Sequence, residues 1–291
     1  MDIYAEITDR IIAELEKGNI PWAKPWVGVN EGAISHGSGK PYSLLNQMLL
    51  GEPGEYLTFK QCQQEGGKVK KGSKARMVVF WKIYSKEKSN AAGEKVFGDD
   101  GKPVMEGVPV LRYFNVFHIN DCEGIKPRIP EPEMHDTDPI EEAERVLENY
   151  VARSGVTTEH KKQDRAYYRP SDDLISLPLL EQFADASEYY STVFHEATHS
   201  TGHSSRLNRF AEGAGAAAFG SETYSKEELV AEIGAAAILN ELKIETETSF
   251  RNSAAYIQSW LQALKNDKRM IVSAAGRAEK AVRMILGTDV G

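Results

Sequence analysis

Apolar residues at Ile3, Ile7, Ile11 and Leu15 recur every four positions and Gly18 follows them, so the chain opens on an amphipathic helix. The Pro-containing loop 19–26 ends that period. Short helices are predicted behind Ser43, over 44–50, and behind Thr58, over 59–65, with each hydroxyl as N-cap and Gly66-Gly67 closing the second. Segments 77–84 and 108–119 are rich in β-branched and aromatic residues, and the Gly/Asp-rich stretch 98–101 between them is turn chemistry, which predicts a small antiparallel sheet. Further on, Asp138-Pro139-Ile140-Glu141 combines an N-cap, a proline at the first helical position and an early carboxylate, and starts a helix that runs to about 153 and stops at Gly155. Strand-like pieces at 166–169 and 173–177 precede helices over 188–201 and 226–239 and a helical tail over 253–286. The fold class this implies is α+β in two domains: a small antiparallel-sheet α+β domain, then a mostly helical domain with a minor sheet on its N-terminal side.

A length of 291 residues suits two domains. The Pro-rich polar stretch 126–138 lacks apolar periodicity and reads as a semi-rigid spacer, giving domains over 1–126 and 139–291 with a linker over 127–138 and few contacts crossing it. Charge divides at the same place, with 17 Lys and Arg against 16 Asp and Glu in residues 1–126 but 18 against 27 in the remainder. No apolar run is long enough to span a bilayer and the acidic start lacks a secretory pattern, so a cytoplasmic protein with no membrane partner is expected. Cys62 and Cys122 are the only cysteines, which excludes a disulfide framework and a four-cysteine zinc site.

Within the predicted helix 188–201, His195-Glu196-Ala197-Thr198-His199 matches H-E-x-x-H. The i, i+4 spacing puts both imidazoles on one helical face, where they can converge on one ion, and Glu196 stands beside them as a base for water. That is the outline of a zincin, with zinc as the expected divalent ion and manganese as the alternative. A catalytic zinc needs a third protein ligand. The metzincin pattern would require His at position 205, which is Ser. His203 lies one turn past His199 but follows Gly202, where the helix should end. The helix around 225–236 offers Glu228 and Glu232 at i, i+4 among small residues that permit close packing. This resembles gluzincin-type proteases, and by that resemblance Glu228 binds the metal while Glu232 orients a ligand histidine; the reverse assignment and His203 are the alternatives.

Residues 60–88 hold nine basic and two acidic side chains. Lys68, Lys70, Lys71, Lys74 and Arg76 lie in a glycine-containing loop leading into a strand that bears Phe80, Trp81 and Tyr84, while Trp22, Lys24 and Trp26 sit on the separate Pro-fixed loop. Cations that track a phosphate backbone, interleaved with aromatic faces, suit sequence-tolerant binding of single strands. The same pattern also suits a half-buried strand preceded by a solvated loop.

Several segments taken in order carry a family resemblance: Asn-Ile-Pro-Trp-Ala-Lys-Pro-Trp at 19–26, Pro41-Tyr42 leading to Asn46, Tyr56-Leu-Thr-Phe59, Gly66-Gly-Lys-Val-Lys-Lys-Gly-Ser-Lys74, Phe114-Asn-Val-Phe117, the run from His195 to His203 with Arg206-Leu-Asn-Arg209, and Glu227-Glu-Leu-Val-Ala-Glu232. Together they resemble the ArdC-type antirestriction proteins from about residue 4 to 285. The resemblance implies an N-terminal single-stranded-DNA-binding domain, shared with TraC-type conjugative-plasmid primases, and a C-terminal zincin-like metallopeptidase domain. It also implies protection of incoming plasmid or phage DNA from host restriction, with a host protein as a candidate peptidase substrate. The other reading from the same residues is a DNA-binding protein whose metal site is structural and silent; an intact Glu196 favours the active site.

Overall fold

The computed structural model describes residues 2–23, 32–90, 93–98, 100–128, 139–183, 185–212, 222–244 and 254–288. Helix α1 (Ile3–Glu16) starts where the Asp2 carboxylate accepts from the amides of Tyr4 and Ala5, and it buries Ile7, Ile11, Ile12 and Leu15. Helix α2 spans Leu44–Leu50, but the Ser43 hydroxyl makes no capping bond. The amide of Leu44 donates instead to Glu279, 3.1 Å away and 235 residues further along the chain. Helix α3 (Phe59–Gln64) has the expected cap, completed by Gln61 reaching back to Thr58.

The N-terminal sheet has the order β1-β2-β5-β4. Strands β4 (Arg76–Glu87) and β5 (Met105–His118) form a long antiparallel pair running from Arg76 opposite Val116 to Glu87 opposite Met105. Strand β2 (Gly54–Thr58) pairs antiparallel with the end of β5, and β1 (Ala33–Ser35) adds parallel to β2, so the sheet is mixed at that edge. A two-residue ladder joins β3 (Lys68–Val69) to β6 (Cys122–Glu123). The pairing of β4 with β5 is anchored from below, because Asn46 of α2 exchanges hydrogen bonds of 2.8 and 2.9 Å with the backbone of Val79.

After α4 (Pro139–Ser154), a three-stranded sheet of order β7-β9-β8 is built from Thr157–His160, Leu174–Leu177 and Tyr167–Arg169. Helices α5 (Ala186–Ser200) and α6 (Glu222–Glu241) follow, then α7 (Ala254–Asn266) and α8 (Met270–Leu286). The helical tail is thus two helices. From Leu229 to Leu239 most of α6 is buried, which makes it the central helix. None of the described helices is long and apolar enough to cross a membrane.

One expectation is corrected here. The two halves are in broad contact: Ile7, Ile11, Leu15, Trp22, Leu44, Met48, Met77 and Leu111 share an apolar cluster with Ala143, Phe194, Ile233, Trp260, Leu264 and Ile271, while Ala33, Tyr42, Leu50, Tyr56, Val78 and Val116 form a smaller cluster within the N-terminal half. Helix α1 packs on α7 and α8, and Thr8 donates to the carbonyl of Lys268 at 2.7 Å. Of the spacer 126–138, residues 129–138 lie outside the described residues, while Arg128 pairs with Glu65 at 2.7 Å. Trp22, read from sequence as a surface aromatic, is fully buried and packs edge-on against Trp260 of α7 at 5.1 Å between ring centroids. A proline that fixes a loop can fix it against a core as readily as in solvent. Replacing Trp22 by alanine should therefore cost about 3–5 kcal/mol and lower one cooperative transition seen alike by far-UV circular dichroism and tryptophan fluorescence. Two separable transitions, only one of them shifted, would show that the halves are independent.

Candidate metal centre

Helix α5 begins at Asp185, whose carboxylate accepts from the amide of Glu188, and its apolar stripe of Tyr190, Val193, Phe194 and Ala197 faces the core. That orientation turns His195 and His199 toward α6. The C-terminal end of α5 is held by two arginines from the segment 206–209. Arg206 donates to the carbonyl of Ser200 at 2.9 Å and pairs with Asp173. Arg209, 5% exposed, donates to the carbonyl of Thr198 at 2.8 Å and to the Thr201 hydroxyl at 2.7 Å. Cations there complement the carbonyl-rich end of the helix.

The approach of α6 depends on one glycine. A β-carbon at Gly234 would stand 2.7 Å from Cγ2 and 2.8 Å from Oγ1 of Thr198, so only hydrogen fits between the helices. At that distance the carboxylates of α6 reach the imidazoles of α5. The Nε2 atoms of His195 and His199 are 3.2 Å apart, Glu228 Oε1 is 3.4 Å from His199 Nε2, and Glu228 Oε2 is 3.6 Å from His195 Nε2. Donors each about 2.0–2.1 Å from a tetrahedral zinc would be separated by about 3.3 Å, so this trio can hold one such ion. Among the described residues it is the cluster whose donor atoms converge in this way.

Behind the trio lie two more carboxylates. Glu227 Oε1 is 3.4 Å from His199 Nδ1, while both its oxygens accept from Arg209, at 2.6 and 3.1 Å. With Nδ1 turned to Glu227, the Nε2 lone pair of His199 faces the centre, where it meets the Nε2 of His195 and a carboxylate; such a convergence calls for a cation. Glu232 Oε1 lies 3.8 Å from His195 Nδ1. Glu196 is half-buried and, among the described residues, has no hydrogen-bond or ion-pair partner. His203 stands apart, with Nδ1 2.8 Å from the Ser205 hydroxyl and 3.9 Å from Asp173.

Burial pulls the His199 imidazole down, but Glu227 and Glu228 outweigh it and push it up to about 10. His195 is also raised, with burial opposed first by Glu228. Burial would raise Glu228, yet the two imidazoles hold it well below the usual carboxylate range, whereas burial dominates at Glu232 and raises it. Without metal, therefore, the centre prefers charged imidazoles, and an ion must displace their protons.

Sequence reasoning missed Glu227. Its signal was Arg209: a buried arginine requires a carboxylate, and Glu227 lies on the helix already singled out. Of the other residues named from sequence, Lys68 on β3 and Lys70, Lys71 and Lys74 on the loop from β3 to β4 are exposed; Lys68 pairs with Glu123 at 3.1 Å and Lys70 donates to the carbonyl of Asn120 at 2.7 Å. Arg76 is turned inward, donating to Tyr56 at 2.6 Å and pairing with Glu52 at 2.7 Å. Trp81 is 54% exposed. Lys24 and Trp26 lie outside the described residues.

Fold and centre together define a zincin-like metallopeptidase domain preceded by an α+β domain packed against it. Residues 145–277 match the family of zincin-like metallopeptidases, and residues 1–117 match the N-terminal domain of anti-restriction factor ArdC. The antirestriction protein ArdC of plasmid R388, in its metal-free crystal structure, superposes with a TM-score of 0.72 at 32% identity, covering 98% of this chain and 97% of ArdC. Its Mn(II)-bound form matches at 31% identity with the same TM-score, over 99% and 98%. The chain belongs to the ArdC family of antirestriction proteins. It is also 36% identical over 300 residues to the DNA primase TraC of Escherichia coli, covering 98% of this chain but spanning only 27% of the primase. The uncharacterised protein y4eC of Sinorhizobium fredii is 32% identical over 96% of this chain and 90% of its own length. The donor set and the family's Mn(II)-bound structure make the centre a divalent-metal site.

Two outcomes follow from this geometry. Alanine at Gly234 gains about 1 kcal/mol of helix propensity but overpacks a β-branched neighbour at about 1–3 kcal/mol, so Gly234→Ala should lower Tm and weaken metal binding. Retained Tm and affinity would mean that the helices part freely. The second outcome concerns pH. Imidazoles raised above their unfolded value near 6.5 stabilise the metal-free fold below that pH, and the contribution is lost as pH rises through about 10. Metal binding runs the other way: its apparent affinity should rise with pH, with proton release measurable by calorimetry in buffers of different ionisation enthalpy. A pH-independent affinity between 6 and 9 would count against proton displacement at this centre.

Proposed function

We propose that this chain is an antirestriction factor that binds single-stranded DNA through its N-terminal half and carries a zinc-dependent peptidase site, protecting incoming plasmid or phage DNA from host restriction. The observation that carries the catalytic part is the convergence of His195, His199 and Glu228, with the half-buried Glu196 close enough to act electrostatically on both imidazoles. Two imidazoles and a carboxylate are the donor set of a catalytic zinc that keeps one position open. Manganese is the alternative ion, supported by the Mn(II)-bound ArdC structure.

His195, His199 and Glu228 would hold the ion, which would supply Lewis acidity toward water and a substrate carbonyl. Glu227, itself fixed by Arg209, keeps the His199 ring in register, and Glu232 does the same more loosely for His195. Glu196 takes the proton of the water that attacks the scissile carbonyl and returns it to the leaving amine as the C–N bond breaks. Exposed lysines at 68, 70, 71 and 74 and the similarity to a DNA primase support the nucleic-acid part.

Shielding DNA by occupancy needs no bond cleavage, whereas destroying a restriction enzyme needs a matched peptide target, so DNA binding is the necessary component. Full-length wild type should protect unmodified plasmid DNA transferred into a restricting host. Glu196→Gln should retain metal by elemental analysis, lose cleavage of casein and still protect, while alanine at all four lysines should abolish protection. Full protection by the lysine variant together with none by Glu196→Gln would make the protein a protease first.

A further inference from the structure

The pairing of β4 with β5 outruns the sheet that supports it. Strand β2 flanks β5 only at Val116, Phe117 and His118, and beyond Val79 no described strand borders the pair, which projects as a two-stranded ribbon. Residues directly opposite in an antiparallel pair share a face. On the side of Met77, Val79 and Leu111 the base of the ribbon covers the helical core. The opposite face carries Phe80 across from Arg112, Lys82 from Val110, Tyr84 from Val108 and Lys86 from Glu106, with Phe114 next to Phe80.

This face is organised from within. A chain of rings leads outward from buried Tyr56 to buried Tyr42 at 6.4 Å, from Tyr42 to Phe80 at 6.0 Å, and from Phe80 to Phe114 at 5.9 Å. Its outer members, Phe80 and Phe114, are 44% and 50% exposed, and Tyr84, further along the same face, is 39% exposed. Lys82 lies over the Tyr84 ring at 5.1 Å. The three cations of this face, Lys82, Lys86 and Arg112, are all exposed and outnumber its one carboxylate, Glu106. Rings rooted in a core lose little freedom on binding, and contiguous exposed aromatics mark a contact surface. Cations set between them favour a polyanion with flat faces over an apolar protein surface. Phe80 and Tyr84, four residues apart on β4 with Lys82 between them, stand roughly 13 Å apart along the strand, so each can take a base of its own.

We propose that the ribbon is the base-stacking arm of the protein: single-stranded DNA lies along the face of Phe80, Tyr84 and Phe114, with its phosphates on Lys82, Lys86 and Arg112. This rests on the DNA-binding reading above and gives it a surface distinct from the lysine loop at the base of β4. Duplex DNA, whose bases are already stacked, competes poorly for such a face.

The test uses full-length protein and fluorescein-labelled oligo(dT), with Tm measured for every variant. Phe80 packs on Tyr42, so the informative positions are Phe114 and Tyr84. Leucine at both keeps the apolar surface but removes the π-faces, and affinity should fall about tenfold or more, whereas Phe114→Tyr should bind as wild type. Arg112→Gln with Lys82→Gln should flatten the dependence of log affinity on log salt by about 1.4. Wild-type affinity in the folded double-leucine variant, or equal competition by duplex, would overturn the ribbon assignment and leave the loop of Lys68 to Lys74 as the DNA surface. No binding of oligo(dT) by wild type would instead overturn the DNA-binding reading itself.

Discussion

A single missing β-carbon sets the geometry on which the metal centre depends. Because Gly234 lets α6 lie against Thr198, the carboxylates of Glu227 and Glu228 come within 3.4 Å of the His199 ring nitrogens. The surrounding residues Ala231, Ala235, Ala236 and Ala237 are small and buried, so α6 contributes close contact in place of side-chain bulk. Carboxylates drawn this far inward lose several kcal/mol of hydration each, and the loss is recovered only through opposite charge at short range. Arg209 provides that charge for Glu227, and the imidazoles of α5 provide it for Glu228. Arg209 in turn needs a carbonyl-rich partner, which it finds at the end of α5. The same electrostatic closure therefore fixes the helix terminus, the second helix and the orientation of the ligands.

The centre and the ribbon share an anchor. Helix α8 packs on α6, and from α8 the Glu279 carboxylate accepts from the first amide of α2, replacing the serine cap. Two residues later Asn46 of α2 grips both backbone groups of Val79, the last buried position of β4 before the ribbon leaves the sheet. Helix termini and buried amides left without such partners would each cost about 1–3 kcal/mol. Those costs tie the angle of the ribbon to helices whose other side supports the metal ligands. This continuity comes from contacts as much as 235 residues apart in sequence.

Sequence carried the local signals well. The Thr58 cap of α3, the start of α4 at Pro139 and the H-E-x-x-H helix follow from caps, proline and apolar period, which act within one turn. Strands β1, β2 and β7 were not read, because a three-residue strand, a strand starting at Gly54 and the polar run Thr157–His160 carry too little alternation to register. The helical tail hid its break at 267–269, where no glycine or proline stands. Aromatics at Phe80, Trp81 and Tyr84 fitted a core strand and a platform equally well. What distinguishes them is whether another element covers them, and that depends on the tertiary fold. Trp22 shows the converse, its cover supplied by Trp260 from the far end of the chain.

Metal occupancy and DNA binding need not be alternative explanations of the centre. An ion bound to the native fold but not to the unfolded chain stabilises it by RT ln(1 + [L]/Kd), about 2.7 kcal/mol at a hundredfold excess over Kd. Because Phe194 and Ile233, beside the ligands, belong to the same apolar cluster as Ile7, Leu44 and Met77, that stabilisation extends to the elements supporting the ribbon. A half-buried base such as Glu196, with no hydrogen-bond or ion-pair partner among the described residues, is not needed for this effect, since a purely structural ion requires neither a base beside it nor an open coordination position. Stability explains why the ligands and Glu227 are arranged as they are, and Glu196 is the residue whose presence stability leaves unexplained.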